Sequence, residues 1–164
     1  MYVRIGRYAS EEDDLETFER DEDIVIHNYD TWSMDHTLAL IIVPMLKQLK
    51  DTKHGAPNVD SDDVPEYLKP NEEELNKYNI NGATDENFFK RWDYVIDEMI
   101  WAFEQIIDDD NDSQFYDHSE CDPNDSFEES VKKLKVDREG LESHHERINN
   151  GTRLFGKYYR SLWD

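Results

Sequence analysis

The sequence predicts a mainly α-helical protein with a three-helix core over about 31–50, 85–107 and 126–162, a small N-terminal β-hairpin and acidic loops. In the three core segments, apolar residues recur at three- and four-residue steps, which place side chains on one face of a helix. Near the N-terminus, two short segments rich in Val and Ile indicate strands. Acidic stretches without periodicity separate these elements. The length of 164 residues suits a single domain, 1–164.

The hairpin is predicted from residues 2–7 and 23–28, which are short and rich in β-branched residues. A connection over 11–23 joins them and carries nine acids and one arginine. These segments support a small hairpin or a sheet edge.

The first core helix is predicted to follow the capping side chains of 30–33 and to end before Gly55. Its apolar stripe comprises Met34, Leu38, Ile41, Ile42, Met45 and Leu49. Leu40 and Val43 lie off this stripe, so we expect a central helix that is buried on more than one face. Pro44 lacks an N–H and clashes with the preceding turn, so it predicts a kink near Leu40.

The second core helix follows a long connection over 51–85, in which a short helix is predicted at 72–78. The core helix is expected to begin after Thr84 and to run to about Ile107. Its apolar stripe comprises Phe88, Trp92, Val95, Ile96, Met99, Phe103 and Ile106. The acidic segment 108–125 that follows has no periodicity and is predicted to be a solvated loop.

The third core helix is predicted to begin with a capping box formed by Ser126 and Glu129. Positions from Phe127 to Leu162 then follow an unbroken alternation of four and three, although several of them are polar. The turn signal at 149–151 offers a competing interpretation, a break with a new helix start at Thr152. The preserved phase across this triplet favours one long helix over 126–162.

Acidic residues dominate the composition, since 40 Asp and Glu stand against 18 Lys and Arg and give a formal net charge of -22. Aromatic residues make up 12% of the chain, which is too much for a disordered acidic tail. A folded protein with this charge repels nucleic acid and anionic membranes and attracts basic protein surfaces. We therefore expect a basic protein partner, no direct contact with nucleic acid and no cofactor.

The sequence also predicts a cytoplasmic protein. The single cysteine, Cys121, cannot form an internal disulfide, and residues 1–14 lack the pattern of a signal peptide. The longest apolar run, 38–45, is far shorter than the roughly 20 residues that span a bilayer. The expected setting is a reducing cytoplasm, without contact with the membrane.

One candidate site is a metal centre in the helical core. Glu142 and His145 form a Glu-x-x-His step, the spacing that places two ligands on one helix face in di-iron bundles. Asp35 of the first helix is the candidate third ligand, whereas the acids of the second helix are expected to point outward. The corresponding function is a metal-dependent hydrolase or oxidase. The alternative is that Asp35 is a buried carboxylate paired with Arg138 or His145.

The better supported candidate is a partner-binding face on the second helix. Tyr94 and Trp101 lie seven residues apart, off the core stripe, and are flanked by Asp97, Glu98 and Glu104. Aromatic residues surrounded by acids suit an interface with a basic protein. The alternative is that these aromatics contact another element of the same chain. Signatures of nucleophilic or nucleotide chemistry, such as a P-loop, are absent from the sequence.

Three blocks carry a resemblance to a known family. They are YDTWSMDHTLA over 29–39, WDYVIDEMIWAFE over 92–104 and LFGKYY over 154–159. Together they resemble a family of small uncharacterised proteins from tailed-bacteriophage genomes. The resemblance implies a phage origin and action in the cytoplasm of a bacterial host, and it supplies no site residue.

These observations lead to one main hypothesis and two alternatives. The main hypothesis is a non-enzymatic acidic phage protein that binds a basic host or phage protein, with imitation of nucleic-acid charge as a means of inhibition. The metal-dependent enzyme described above is the first alternative. A virion or assembly component is the second.

Overall fold

A computed structural model of the chain describes residues 1–5 and 22–163. It is mainly helical, as predicted, with helices α1 Met34–Thr52, α2 Glu72–Asn81, α3 Phe88–Ile107, α4 Phe127–Lys133 and α5 Arg138–Tyr158. Two antiparallel strand pairs accompany them: β1 Tyr2–Ile5 with β2 Glu22–Val25, and β3 Tyr116–Asp117 with β4 Lys135–Val136. No helix in this described part of the chain is long and apolar enough to cross a membrane.

The chain divides into two compact units, Met1–Leu38 and Ala39–Asp164. The first unit contains the predicted N-terminal hairpin, in which Tyr2 lies opposite Val25 and Ile5 opposite Glu22. Most of the predicted connection over 11–23 lies outside the described residues. None of residues 1–3 and 23–38 of this unit is buried.

Helix α3 is the central element of the second unit. The members of its predicted stripe from Phe88 to Phe103 are all buried. The core around them comprises Ala39, Val43, Leu46, Val59, Val64, Leu68, Leu154 and Tyr158. The core is therefore built on α3, with α1, the connection before α2 and α5 packed around it.

The predicted buried face of α1 is wrong by about one residue of rotation. Ala39, Val43 and Leu46 are buried, whereas Met45 of the predicted stripe is 66% exposed and Leu40 is 52% exposed. The helix therefore buries one narrow face and is not the central helix. Its apolar residues satisfy helical spacing on more than one side, so periodicity alone could not select the face that meets α3.

The prediction of one helix over 126–162 is also wrong, because the chain leaves the helix at Leu134. Helix α4 begins with the predicted Ser126–Glu129 capping box and ends at Lys133. Strand β4 then pairs with β3 of the acidic segment, and Asp137 caps α5 by accepting a hydrogen bond from the backbone N–H of Gly140. The acidic segment, predicted to be a solvated loop, thus supplies strand β3, which pairs with the residues that separate α4 from α5.

Helix α5 is continuous across 149–151, as the preserved phase predicts. Gly151 is buried where α5 crosses α3, and a Cβ added to it would clash with the Cβ of Ala102 and lie 2.5 Å from the carbonyl oxygen of Glu98. The glycine therefore serves a close approach between two helices rather than a turn.

A buried carboxylate attaches the connection before α2 to the end of α5. Asp63 accepts hydrogen bonds from the Tyr158 hydroxyl at 2.6 Å, from Arg153 at 2.7 Å and from Lys157 at 2.5 Å. Burial raises the pKa of the Asp63 carboxyl, but these three donors outweigh burial and leave the pKa lowered. Burial and the hydrogen bond to Asp63 raise the pKa of Tyr158 to about 12.

Candidate functional site

The predicted partner-binding aromatics are in contact with their own chain. The guanidinium carbon of Arg147, on α5, lies 3.9 Å from the centre of the Trp101 ring, and His144 packs edge-on against the same ring at 5.4 Å. Tyr94 is half-buried and packs against the core, where burial raises its pKa. The alternative that these aromatics meet another element of the same chain is the arrangement found.

Glu98 does not point outward as predicted. Glu98 is only 7% exposed, and its carboxylate accepts two hydrogen bonds from Arg147, at 2.7 and 3.0 Å. Because Gly151 brings α5 close to this turn of α3, Glu98 is covered and needs a cationic partner. The hydrogen bonds to Glu98 raise the pKa of Arg147.

The other two acids of the predicted face pair with lysines of α1. Glu104 lies 2.6 Å from the Nζ of Lys47, and Asp97 lies 2.5 Å from the Nζ of Lys50. A third pair of the same kind joins Lys53, the residue that follows this helix, to Asp93. We call these three pairs the lysine row. The acids of the predicted face are therefore paired with the chain's own cations.

The residues of the candidate metal centre do not form a set of metal ligands among the described residues. Asp35 is exposed near the start of α1 rather than buried, and Glu142 is exposed on α5. Nε2 of His145 lies 3.0 Å from both carboxylate oxygens of Asp112. Across residues 1–5 and 22–163, no group of three or more His, Cys, Asp or Glu side chains could hold a metal ion.

His144 has a structural position that its place in the Glu-x-x-His sequence does not reveal. The ring is buried between Trp101 and Phe115, with ring centres 5.4 and 5.2 Å away. Its Nε2 lies 3.2 Å from Oδ1 of Asn111. Together with the contact between Asp112 and His145, this packing holds the start of the acidic segment against α5.

A groove of about 660 Å³ lies between this segment and α5. The lining residues are Tyr116, Val136, Arg138, Leu141, Glu142, His145, Glu146 and Asn149. Tyr116 and Val136 are cross-strand partners in the β3–β4 pair and form one wall. The remaining residues lie on one face of α5 and form the other wall. The groove could not be predicted from the sequence. One of its walls is the β3–β4 pair, and the predicted single helix over 126–162 leaves no place for strand β4.

The groove is lined by half-buried apolar residues and by exposed charged residues. Tyr116, Val136 and Leu141 are half-buried, while Glu142 and Glu146 are exposed. Neither glutamate forms an ion pair with another described residue. Such a surface can bind a group that is apolar along its length and cationic at its tip.

Comparison of the chain with protein-family models, with curated proteins and with solved structures finds no match in any of the three.

Proposed function

We propose that this chain is a non-enzymatic acidic protein that binds a basic surface of another protein. The observation that carries the proposal is how charge is divided in the second unit. Cations near the core are paired with acids of the same chain: the lysine row, Arg91 with Asp85, Arg147 with Glu98, and Arg153 and Lys157 with Asp63. The acids left over therefore dominate the outside.

Five acids without an ion pair lie near the end of α3 and on α5. Asp108, Asp109 and Asp110 are consecutive and exposed at the end of α3, and Glu142 and Glu146 are exposed on α5. None of these five carboxylates forms an ion pair with a described Lys or Arg residue. A partner that presents Lys and Arg would be attracted to these acids and oriented by them.

The resemblance to phage proteins supports a bacterial or phage protein as the partner. Basic surfaces on such proteins commonly serve to bind nucleic acid, whose phosphates are read by Lys and Arg. We therefore propose that these acids occupy the same cations and compete with nucleic acid. Tyr94 and Trp101 are not needed for this proposal, because their contacts lie within the chain.

Affinity capture tests the proposed function. The immobilised protein is incubated with a nuclease-treated bacterial lysate at about 50 mM salt and, separately, at about 500 mM salt. The electrostatic screening length is several-fold shorter at the higher concentration. We expect basic proteins to be retained at low salt, released at high salt and displaced by added duplex DNA. Retention of neutral or acidic proteins that neither salt nor DNA affects would contradict the proposal.

A charge variant serves as the control for this capture. Replacing Asp108, Asp109 and Asp110 by Asn removes three exposed acids without touching the core. We expect this variant to retain less of the same basic proteins. The matched variant Asp51→Asn, Glu72→Gln, Glu86→Gln changes the same number of exposed acids elsewhere in this unit and should retain more.

A further inference from the structure

The groove between the β3–β4 pair and α5 has a defined order of charges along its helical wall. Arg138, Glu142 and Glu146 follow one another at four-residue steps, so they form a row with the cation at one end and the two acids beyond it. Asn149 closes the row with a neutral amide. A bound cation is therefore favoured beside the glutamates and disfavoured near Arg138.

The apolar lining residues are suited to an aliphatic stem. Tyr116 and Val136 line the groove from adjacent strands, and Leu141 lines it from α5. All three are half-buried, so each leaves apolar surface that a ligand could cover. Asp112 holds the ring of His145, another lining residue, through contacts of 3.0 Å.

We propose that this groove binds a long cationic side chain, arginine or lysine, from the basic partner. The stem lies against Tyr116, Val136 and Leu141, and the charged head lies between Glu142 and Glu146. The proposal rests on the proposed function, since it names where that partner's cation is bound. Charge complementarity selects the occupant: two carboxylates without partners among the described residues line the groove together with apolar residues.

The test uses a defined probe, a capped glycine-rich nonapeptide that carries three arginines, and its neutral counterpart with citrulline in their place. Binding to the ¹⁵N-labelled full chain is followed by NMR at low salt. We expect the arginine peptide, and not the citrulline peptide, to shift the amide signals of Tyr116, Val136 and Leu141. Shifts confined to other parts of the chain would overturn the proposed groove.

A pair of matched variants separates local binding from general attraction. Glu142→Gln with Glu146→Gln removes the two groove acids, and Glu86→Gln with Glu128→Gln makes the same chemical change at exposed positions outside the groove. We expect the groove variant to bind the arginine peptide roughly fivefold more weakly, as two partly exposed ion pairs imply. The matched variant should bind almost as the parent protein does.

The outcomes distinguish the two proposals. Equal weakening in both variants would overturn the groove as the site and leave the proposed function standing, because the peptide would then respond only to total charge. Failure of the parent protein to bind the arginine peptide at low salt would contradict the proposed function itself. The four substituted glutamates are all exposed, and melting curves of both variants establish that they fold.

Discussion

Gly151 of α5 lies directly against Ala102 of α3, with no space for a Cβ between the two helices. The atoms that a side chain would meet are the Cβ of Ala102 and the backbone carbonyl of Glu98, neither of which can move without moving α3. The crossing of α3 and α5, the two most closely packed helices of the second unit, therefore requires a residue without a Cβ at position 151.

Gly151→Ala is expected to destabilise the protein. The added methyl forces the helices apart, and overpacking of this kind costs about 1–3 kcal/mol, more than the gain of up to about 1 kcal/mol in helix propensity. Urea denaturation followed by circular dichroism measures the change. Gly156→Ala is the control, because nothing lies within 4 Å of a Cβ added at that exposed position of the same helix. It should leave stability unchanged or slightly raised, and equal effects of the two variants would contradict the close crossing.

Asp63→Asn is expected to weaken the attachment of the connection before α2. The amide cannot accept charge-assisted hydrogen bonds from Arg153, Lys157 and Tyr158, so we expect a loss of roughly 2 kcal/mol at neutral pH. Asp62→Asn, at an exposed neighbour, should have little effect. Denaturant unfolding of both variants and the parent gives the comparison.

The contribution of Asp63 should also depend on pH in a defined direction. Its folded pKa lies below the usual value of 3.8, so the stabilisation is present above that value and is lost as the pH falls through the folded pKa. The stability difference between the parent and Asp63→Asn should therefore shrink in acid. A difference that stays constant from neutral pH to strong acid would show that Asp63 is not ionised in the folded protein.

Tyr158 should impose a second, alkaline limit. Its folded pKa is raised from 10.0 to about 12, so its contribution is complete below pH 10 and is lost as the pH rises through the folded pKa. Ultraviolet titration of tyrosinate should show a late-ionising tyrosine in the parent that is missing in Tyr158→Phe. Tyr159→Phe, which removes an exposed neighbour, should leave this late step in place.

Arg147→Ala is expected to uncover Trp101 and to leave the Glu98 carboxylate buried without its cation. Because the Arg147 side chain is 48% exposed, we expect a cost of about 2 kcal/mol rather than the 3–5 kcal/mol typical of a fully buried pair. The fluorescence of Trp101 should shift to the red. Adding Glu98→Gln should recover part of the lost stability, and additive losses would argue against direct coupling of the two residues.

The helical class and α3 could be predicted because one strong pattern and the actual burial agree. Trp92, Val95, Ile96 and Met99 are apolar at helical spacing and are fully buried. The face of α1 was not predictable, since Met45 and Leu46 both fit a helical stripe and only packing against α3 decides between them.

The groove and the ion pairs of the α3 acids could not be predicted from the sequence for another reason. Glu98 meets Arg147 across 49 positions, and Tyr116 meets Val136 through strands of two residues each. Pairings at such separations depend on tertiary structure, which overrides local propensity in elements this short. The acids that flank Trp101 therefore suggested a surface for a basic partner. The cation that contacts Trp101 is instead Arg147 of the chain's own α5.

The lysine row has a consequence for how α1 is aligned. Lys47 and Lys50 lie toward the C-terminus of α1 and Lys53 directly follows it, while their partners Glu104, Asp97 and Asp93 lie successively closer to the N-terminus of α3. Each such pair at the surface adds little free energy, about 0–1 kcal/mol. Together they fix the register of α1 against α3, because a shift of α1 along α3 by one turn would separate all three lysines from their partners. The cations of this acidic protein thus select one alignment of an apolar helix whose own pattern allows several.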